Sequence, residues 1–167
     1  MKAKLALVGG FLGSGKTTLL IAVAKELIAR GESVAIVTND QGETLVDTGY
    51  AESLEITASE VGNGCFCCNF SDFVANIRTV LEEQQPSFVL AEPVGSCTDL
   101  ASTVLAPLSL YQADLIELCY YGVMIDGSRL EGEYSTYRLD TPVTPREVLL
   151  RHQIAEAARA HARSAGA

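Results

Sequence analysis

Basic residues are scarce in this sequence. Its 167 residues include 12 lysines and arginines against 21 aspartates and glutamates. Because a standing nucleic-acid partner requires a basic face, this balance argues against nucleic-acid binding. It does not exclude a nucleotide, whose phosphates a local loop can hold. Apolar runs are also short, and none approaches the roughly 18–20 residues of a membrane span. We therefore expect neither nucleic acid nor a membrane among the partners.

The N-terminus lacks the pattern of a secretory leader. The apolar run that begins at Leu5 stops at two glycines and is followed by a lysine, with no Ala-x-Ala cleavage site. We therefore expect a cytoplasmic protein, in which five cysteines are more often metal ligands or core thiols than disulfides. An odd number of cysteines also fits poorly with a closed disulfide framework.

No internal repeat appears, and the length suits one domain over residues 1–167. Apolar runs alternate with helical patterns, which is typical of βαβ units around a parallel sheet. We predict an α/β core over 4–126, an irregular segment over 127–143 and a terminal helix over 144–160. The predicted strands are Lys4–Val8, Ser33–Thr38, Leu54–Thr57, Ser87–Ala91 and Leu118–Ile125, and the predicted helices in the core are 16–30, 69–85 and 98–110, with Pro107 near the end of the third.

The strongest motif joins the first strand to the first helix. The segment GFLGSGKT fits the Walker A pattern, in which glycines let backbone N–H groups curl around phosphate oxygens. Lys16 can reach the β- and γ-phosphates, and the Thr17 hydroxyl can bind Mg²⁺ at the positive end of the helix. A Rossmann fold is the weaker alternative, because no G-x-G-x-x-G followed by an acid is present. The predicted nucleotide-binding residues of this loop are Gly10, Gly13, Ser14, Gly15, Lys16, Thr17 and Thr18.

Acidic residues follow two further strands. Asp40 comes soon after the second strand, with Asp47 beyond it, and Glu92 follows the buried run SFVLA. Carboxylates at these strand ends can hold Mg²⁺ directly or through water, although both segments also fit simple turns. Glu92 can alternatively orient the attacking water, and the Gly95 N–H can approach a γ-phosphate. We predict catalytic roles for Lys16, Glu92 and Asp40.

Three thiols lie within four residues, in the segment GCFCCN. Thiolates at this density suit a soft cation such as Zn²⁺ or Cu(I). Cys65, Cys67 and Cys68 leave a fourth position for water, a distant side chain or a partner's residue, which favours an exchangeable metal. Buried structural thiols are the alternative. For Cys97 and Cys119 we expect core packing, although Cys97 can lie close to the site.

The motifs GGFLGSGKTT, NDQG, GCFCC and EPVG occur together in this order, and the combination resembles the CobW/HypB/UreG family of P-loop GTPases, most closely its CobW-like branch. The resemblance covers residues 4–126. It implies a P-loop NTPase with a mostly parallel sheet flanked by helices. Such a protein would bind GTP and Mg²⁺ and hydrolyse GTP. It would also deliver a transition metal, for which zinc is favoured, to a client protein, often as a homodimer. By position, the resemblance implies that Lys16 and Thr17 bind phosphate and Mg²⁺ and that Asp40 and Asp47 lie in a first switch. It also implies that Glu92 and Gly95 sense the γ-phosphate. Cys65, Cys67 and Cys68 would bind Zn²⁺.

The Asn-Lys-x-Asp motif with which this family recognises guanine is missing from the sequence. The chain is therefore expected to stop before the guanine-recognising strand, as the N-terminal part of the GTPase domain.

Two other functions remain open. A small P-loop kinase would pass the phosphoryl group to a substrate hydroxyl but has no need of clustered thiols, and a non-catalytic remnant would bind only metal. Because GCFCC lies between the two switch-like segments, we hypothesise that loss of the γ-phosphate changes the thiolate geometry and releases metal.

Overall fold

A five-stranded sheet forms the centre of the described structure. The computed structural model describes residues 2–39, 65–97 and 99–126, and the backbone of 57–60. The strands lie in the order β3-β2-β4-β1-β5, and every adjacent pair is parallel. This confirms the predicted α/β architecture. The strands are β1 (Lys4–Gly10), β2 (Val34–Thr38), β3 (Thr57–Glu60), β4 (Phe88–Glu92) and β5 (Glu117–Met124).

Three α-helices flank the sheet: α1 (Lys16–Ala29), α2 (Phe70–Gln84) and α3 (Ala106–Tyr111). None of the helices in the described ranges has the length and apolarity that a bilayer crossing requires. The first two helices lie where the sequence predicts them.

The third predicted helix differs in detail from the observed one. A π-helical turn over 101–105 precedes α3, and in it the Ala106 N–H bonds to the carbonyl of Ala101. Pro107 lies in the first turn of α3, and α3 ends four residues later at Tyr111, which agrees with the predicted place of Pro107 near the end of the helical segment. Because proline has no N–H and crowds the turn before it, the chain accommodates the ring with a wider turn.

The predicted strand over Leu54–Thr57 shares Thr57 with β3, which runs from Thr57 to Glu60. The strand pairs only with β2 within the described sheet, opposite Ala35–Thr38. An edge strand is defined by this backbone pairing and needs no apolar run, so the hydrophobic pattern did not predict residues 58–60 as strand. Several predictions lie outside the described residues, namely residues 54–56, the irregular segment 127–143, the terminal helix 144–160, Asp40 and Asp47.

Different helices cover the two faces of the sheet. On one face, Leu20 and Ala24 of α1 pack with Val8 and Ile36 from the strands. On the other face, α2 and the helical segment 101–111 pack against neighbouring strand residues such as Leu7. Because both faces are covered, the central strands are apolar throughout and do not alternate with polar residues.

The strand register places several carboxyl ends at one edge of the sheet. Thr38 at the end of β2 pairs with Glu92 at the end of β4, and Leu7 of β1 pairs with Ala91. The Asn39 N–H also donates to the Glu92 carbonyl, at 3.1 Å. Segments that follow β1, β2 and β4 therefore begin side by side, which is where α/β sheets bind ligands.

Phe66 anchors the cysteine segment to the core. Its side chain is fully buried and stacks on Phe73 of α2, with 4.2 Å between the ring centroids. Cys65 and Cys67 on either side of Phe66 are only partly buried. The ring therefore holds a surface turn against the α2 side of the sheet.

We predict that Phe66→Ala lowers the free energy of unfolding by about 3–5 kcal/mol, because it removes a buried aromatic ring and leaves a cavity. Urea denaturation measures the change. The control is Tyr111→Ala, because Tyr111 is 76% exposed and its loss should stay within about 0.5 kcal/mol. Equal losses in the two variants would contradict the anchoring role of Phe66.

Candidate nucleotide and metal site

The loop between β1 and α1 has the shape of an anion-binding turn. Gly13 and Gly15 have φ angles of +76° and +91°, a left-handed conformation that glycine adopts at little cost. The Ser14 N–H closes the turn by donating to the Phe11 carbonyl at 3.1 Å. Helix α1 begins directly after Gly15, and among the described residues no side chain caps it. Its free N–H groups therefore face the loop, as phosphate binding requires.

The surroundings of two side chains show whether this loop fits a phosphate. The Ser14 hydroxyl is buried and has no hydrogen-bond partner in the described part of the chain. The Lys16 ammonium is 5% exposed, and its Nζ bonds to the Phe11 carbonyl at 3.3 Å. An unsatisfied hydroxyl and a buried cation are both costly, and a phosphate would satisfy both. The residues of the loop therefore fit the predicted ligand.

Glu92 at the end of β4 joins this loop through two contacts. Its Oε1 lies 3.7 Å from Lys16 Nζ, and the Thr17 hydroxyl donates to both carboxylate oxygens, at 3.0 and 2.9 Å. Glu92 is 3% exposed, so these contacts compensate a charge that would otherwise be costly to bury. The hydroxyl and carboxylate oxygens are of the type that Mg²⁺ prefers. The structure thus brings together three side chains that the sequence assigned to phosphate and Mg²⁺.

Two glycines allow close packing around the loop. A Cβ added to Gly95 would lie 2.7 Å from the backbone nitrogen of Leu12 and 3.1 Å from its Cα. At Gly10, a Cβ would meet the carbonyl of Met124 on β5. The segment after β4 therefore lies directly against the phosphate loop, with no room for a larger residue at position 95. Thr18, also predicted to bind nucleotide, is exposed on α1.

The cysteine segment forms a tight turn before α2. The N–H groups of Cys68 and Asn69 donate to the Cys65 carbonyl at 3.0 and 2.9 Å, and the Cys68 N–H also contacts Cys65 Sγ at 3.3 Å. This turn directs three sulfur atoms to one point. The Sγ atoms of Cys65 and Cys67 lie 2.8 Å apart, those of Cys67 and Cys68 lie 3.9 Å apart, and all three are within 4.8 Å of one another. The predicted thiols therefore form a cluster able to hold a metal ion.

The cluster contains one thiol that ionises near neutral pH. Burial alone would raise the pKa of Cys65, but hydrogen bonds with Cys67 and Cys68 outweigh it and lower the pKa to about 7. Burial and the hydrogen bond to Cys65 raise the pKa of Cys67 to about 11. A thiolate supported by neighbouring thiols can begin metal capture, and binding then displaces the remaining protons.

Cys97 joins the cluster from another part of the chain. It is buried, and its Sγ accepts a hydrogen bond from Cys67 Sγ at 3.6 Å. Its position in the sequence, five residues after Glu92, was the only signal for this proximity.

The prediction of core packing for Cys119 was wrong. Cys119 is exposed on β5, at the edge of the described sheet, and its Sγ donates to the Leu5 carbonyl at 3.3 Å.

The fold resembles those of solved P-loop NTPases. Cell division protein FtsY from Thermotoga maritima has a TM-score of 0.59 at 15% identity, with 93% of this chain and 49% of FtsY covered. FtsY from Elizabethkingia anophelis, solved with GDP, has a TM-score of 0.57 at 15% identity, with coverage of 79% and 43%. These similarities confirm the predicted P-loop NTPase fold.

Curated proteins match over part of their lengths. Zinc-regulated GTPase metalloprotein activator 1 of Dictyostelium discoideum is 27% identical over 157 residues, covering 86% of this chain and 29% of that protein. Zinc chaperone YeiR of Escherichia coli is 33% identical over 93 residues, with coverage of 53% and 27%. Zinc chaperone CobW of Pseudomonas aeruginosa is 34% identical over 80 residues, with coverage of 42% and 21%. The chain thus spans less than a third of the length of these relatives.

The family profile described as "CobW/HypB/UreG, nucleotide-binding domain" matches residues 4–157, which is most of the sequence. This range includes the phosphate loop, Glu92 and all the thiols of the cluster. The chain therefore belongs to the CobW/HypB/UreG family.

Proposed function

We propose that this protein binds GTP with Mg²⁺, hydrolyses GTP, and couples the nucleotide to the binding and delivery of zinc. Family membership and the similarity to proteins named zinc chaperones support this proposal. The observation that carries it is the six-residue segment from Glu92 to Cys97. That segment contacts the phosphate loop at Gly95 and the thiol cluster at Cys97. One short stretch of chain thus contacts both candidate sites.

Lys16 and Ser14 are the groups we assign to the phosphates. Lys16 brings a buried positive charge, and the Ser14 hydroxyl brings a donor without another partner. We assign Thr17 and Glu92 to Mg²⁺, which when bound would neutralise phosphate charge. The carboxylate is already hydrogen-bonded to Thr17, which favours a metal-binding role for Glu92 over the orientation of water. Asp40 and Asp47 are proposed as further Mg²⁺ ligands from the sequence pattern alone.

The proposed reaction transfers the γ-phosphoryl group to water. A bond forms between a water oxygen and the γ-phosphorus, and the bond to the bridging oxygen breaks. GDP leaves with the electron pair on that oxygen, and the protons of the water leave with the phosphate product. Negative charge develops on the phosphate oxygens, so Lys16 and the backbone N–H groups of the loop contribute most by stabilising it. The Gly95 N–H is proposed to contact the γ-phosphate, because Gly95 already lies against the loop.

The remaining parts of the proposal rest on the family. The choice of guanine is supported by membership and not by a base-recognising motif in this sequence. We also propose a cytoplasmic location, where thiols stay reduced, a client protein that receives the metal, and a homodimer as the working form. Zinc is the proposed cargo of Cys65, Cys67 and Cys68.

Calorimetric titration with GTP and with ATP, each with Mg²⁺ and with or without Zn²⁺, tests the proposal. We expect GTP to bind more tightly than ATP and phosphate to be released without an added acceptor. Phosphate release that requires a hydroxyl acceptor would indicate a kinase. Zinc uptake without binding of either nucleotide would indicate a metal-binding remnant.

We predict that Lys16→Ala abolishes nucleotide binding in the same titration, because it removes the buried cation of the phosphate loop. The control is Lys25→Ala, since Lys25 is on the same helix but about 13 Å further along its axis. Circular dichroism verifies that both variants are folded. Unchanged affinity in folded Lys16→Ala would count against the assigned phosphate site.

We predict that Cys67→Ser weakens zinc binding at least roughly tenfold, since even the loss of a group that only supports a metal ligand costs about 10–100-fold. Competition with a chromogenic chelator measures the affinity. Cys119→Ser is the matched control, because Cys119 lies on β5 and bonds to the Leu5 carbonyl. Equal zinc affinities in the two variants would remove Cys67 from the ligand set.

We predict that iodoacetamide modifies Cys65 before Cys119 in zinc-free protein at neutral pH. The thiolate of Cys65 forms as pH rises through about 7, whereas partial desolvation of the Cys119 sulfur raises the pKa of Cys119. The rate at Cys65 should therefore increase steeply between about pH 6 and pH 8, and saturating Zn²⁺ should suppress it. Mass spectrometry of peptides assigns the modified site. A pH-independent rate at Cys65 would contradict the proposed ionisation.

A further inference from the structure

Cys97 is the fourth sulfur of the cluster and comes from a different structural element. It lies in the turn after β4, where its N–H donates to the Val94 carbonyl at 2.9 Å. Its side chain is 3% exposed and hydrogen-bonds to Cys67. Thirty residues separate Cys67 from Cys97, so the fold creates this contact and the local sequence does not.

Two of the sulfur-sulfur distances match a tetrahedral zinc site. With Zn–S bonds near 2.3 Å, the edge of a ZnS₄ tetrahedron is about 3.8 Å long. The distance between Cys67 and Cys97 is 3.6 Å, and that between Cys67 and Cys68 is 3.9 Å. The 2.8 Å distance between Cys65 and Cys67 is shorter and would open by about 1 Å when metal enters. Cys97 lies outside the group of thiols within 4.8 Å of one another, so the turn would also have to bring Cys65 or Cys68 closer to Cys97. Small side-chain rotations in a partly exposed turn can supply that movement.

We propose that Cys97 is the fourth ligand of the metal site, which becomes a four-thiolate site for a soft divalent cation. This inference rests on the proposed zinc binding and adds to it the identity of the fourth ligand. Cys65, Cys67 and Cys68 leave the fourth ligand position open to a water, a distant residue or a partner's residue. The proposal assigns that position to Cys97. Within the described residues, Cys97 is the cysteine outside the turn whose sulfur hydrogen-bonds to the cluster.

The identity of this ligand has a consequence for metal release. Cys97 lies two residues after Gly95, which contacts the backbone of the phosphate loop at Leu12. A shift of this segment away from the loop would therefore move one of four ligands. Three ligands would stay in the turn that Phe66 anchors. A site that loses one thiolate in this way binds zinc more weakly without being dismantled.

Zinc K-edge X-ray absorption on the full chain, loaded with one equivalent of Zn²⁺, tests the proposal by counting sulfur ligands. We expect four sulfurs in the natural sequence, and three sulfurs with one lighter ligand in Cys97→Ser. Cys119→Ser should retain four. Chelator competition should show at least a roughly tenfold loss of zinc affinity in Cys97→Ser, as expected for any supporting or ligating group.

Cys97→Ala separates ligation from packing, because alanine keeps a small apolar side chain in the core. Its zinc-free melting temperature reports packing, and its sulfur count reports ligation; we expect three sulfurs whatever the melting temperature. Three sulfurs in the natural sequence, or four in Cys97→Ser, would overturn the role of Cys97 and leave zinc binding intact. Failure of the natural sequence to bind Zn²⁺ would overturn the proposed function as well.

Discussion

The buried carboxylate of Glu92 is the constraint on which the rest of the site depends. A charge that is 3% exposed needs compensation, which Lys16 and Thr17 supply from the first turn of α1. Leaving such a charge unpaired costs about 3–5 kcal/mol, so the end of β4 and the start of α1 are held together. These are also the groups suited to phosphate and Mg²⁺. The same contact that stabilises the ligand-free fold therefore prepares the site for its ligand.

Glu92 also fixes where the next residues of the chain lie. Three residues later Gly95 lies against the phosphate loop, and two residues after that Cys97 reaches the thiol cluster. The other side of the cluster is fixed independently, since Phe66 stacks on Phe73 of α2. One half of the proposed metal site is thus tied to the core, and the other half is tied to the phosphate loop. Under the proposed function, this division would let the γ-phosphate alter metal binding without unfolding either part.

The sequence predicted most of the fold because the central strands are continuous apolar runs and the motifs begin at their ends. It also predicted that Lys16, Thr17 and Glu92 belong to one site, and their proximity in the structure follows from the parallel register of the strands. The sequence indicated that Cys97 can lie close to the site, but not that it contacts Cys67, because that contact depends on how the turn after β4 packs beside the turn before α2. The π-helical turn before Pro107 and the edge position of Cys119 depend in the same way on tertiary packing. Hydrophobicity also missed residues 58–60 of β3, which are strand because they pair with β2.

The zinc affinity of the full chain, measured once with saturating GDP and once with a non-hydrolysable GTP analogue, tests the central claim most directly. Because the segment from Glu92 to Cys97 contacts both sites, zinc should bind more tightly with the GTP analogue. Allosteric coupling typically amounts to about 1–3 kcal/mol, so the ratio of affinities should be roughly 5–150-fold. Identical zinc affinities in the two nucleotide states would contradict the coupling of the nucleotide to the metal.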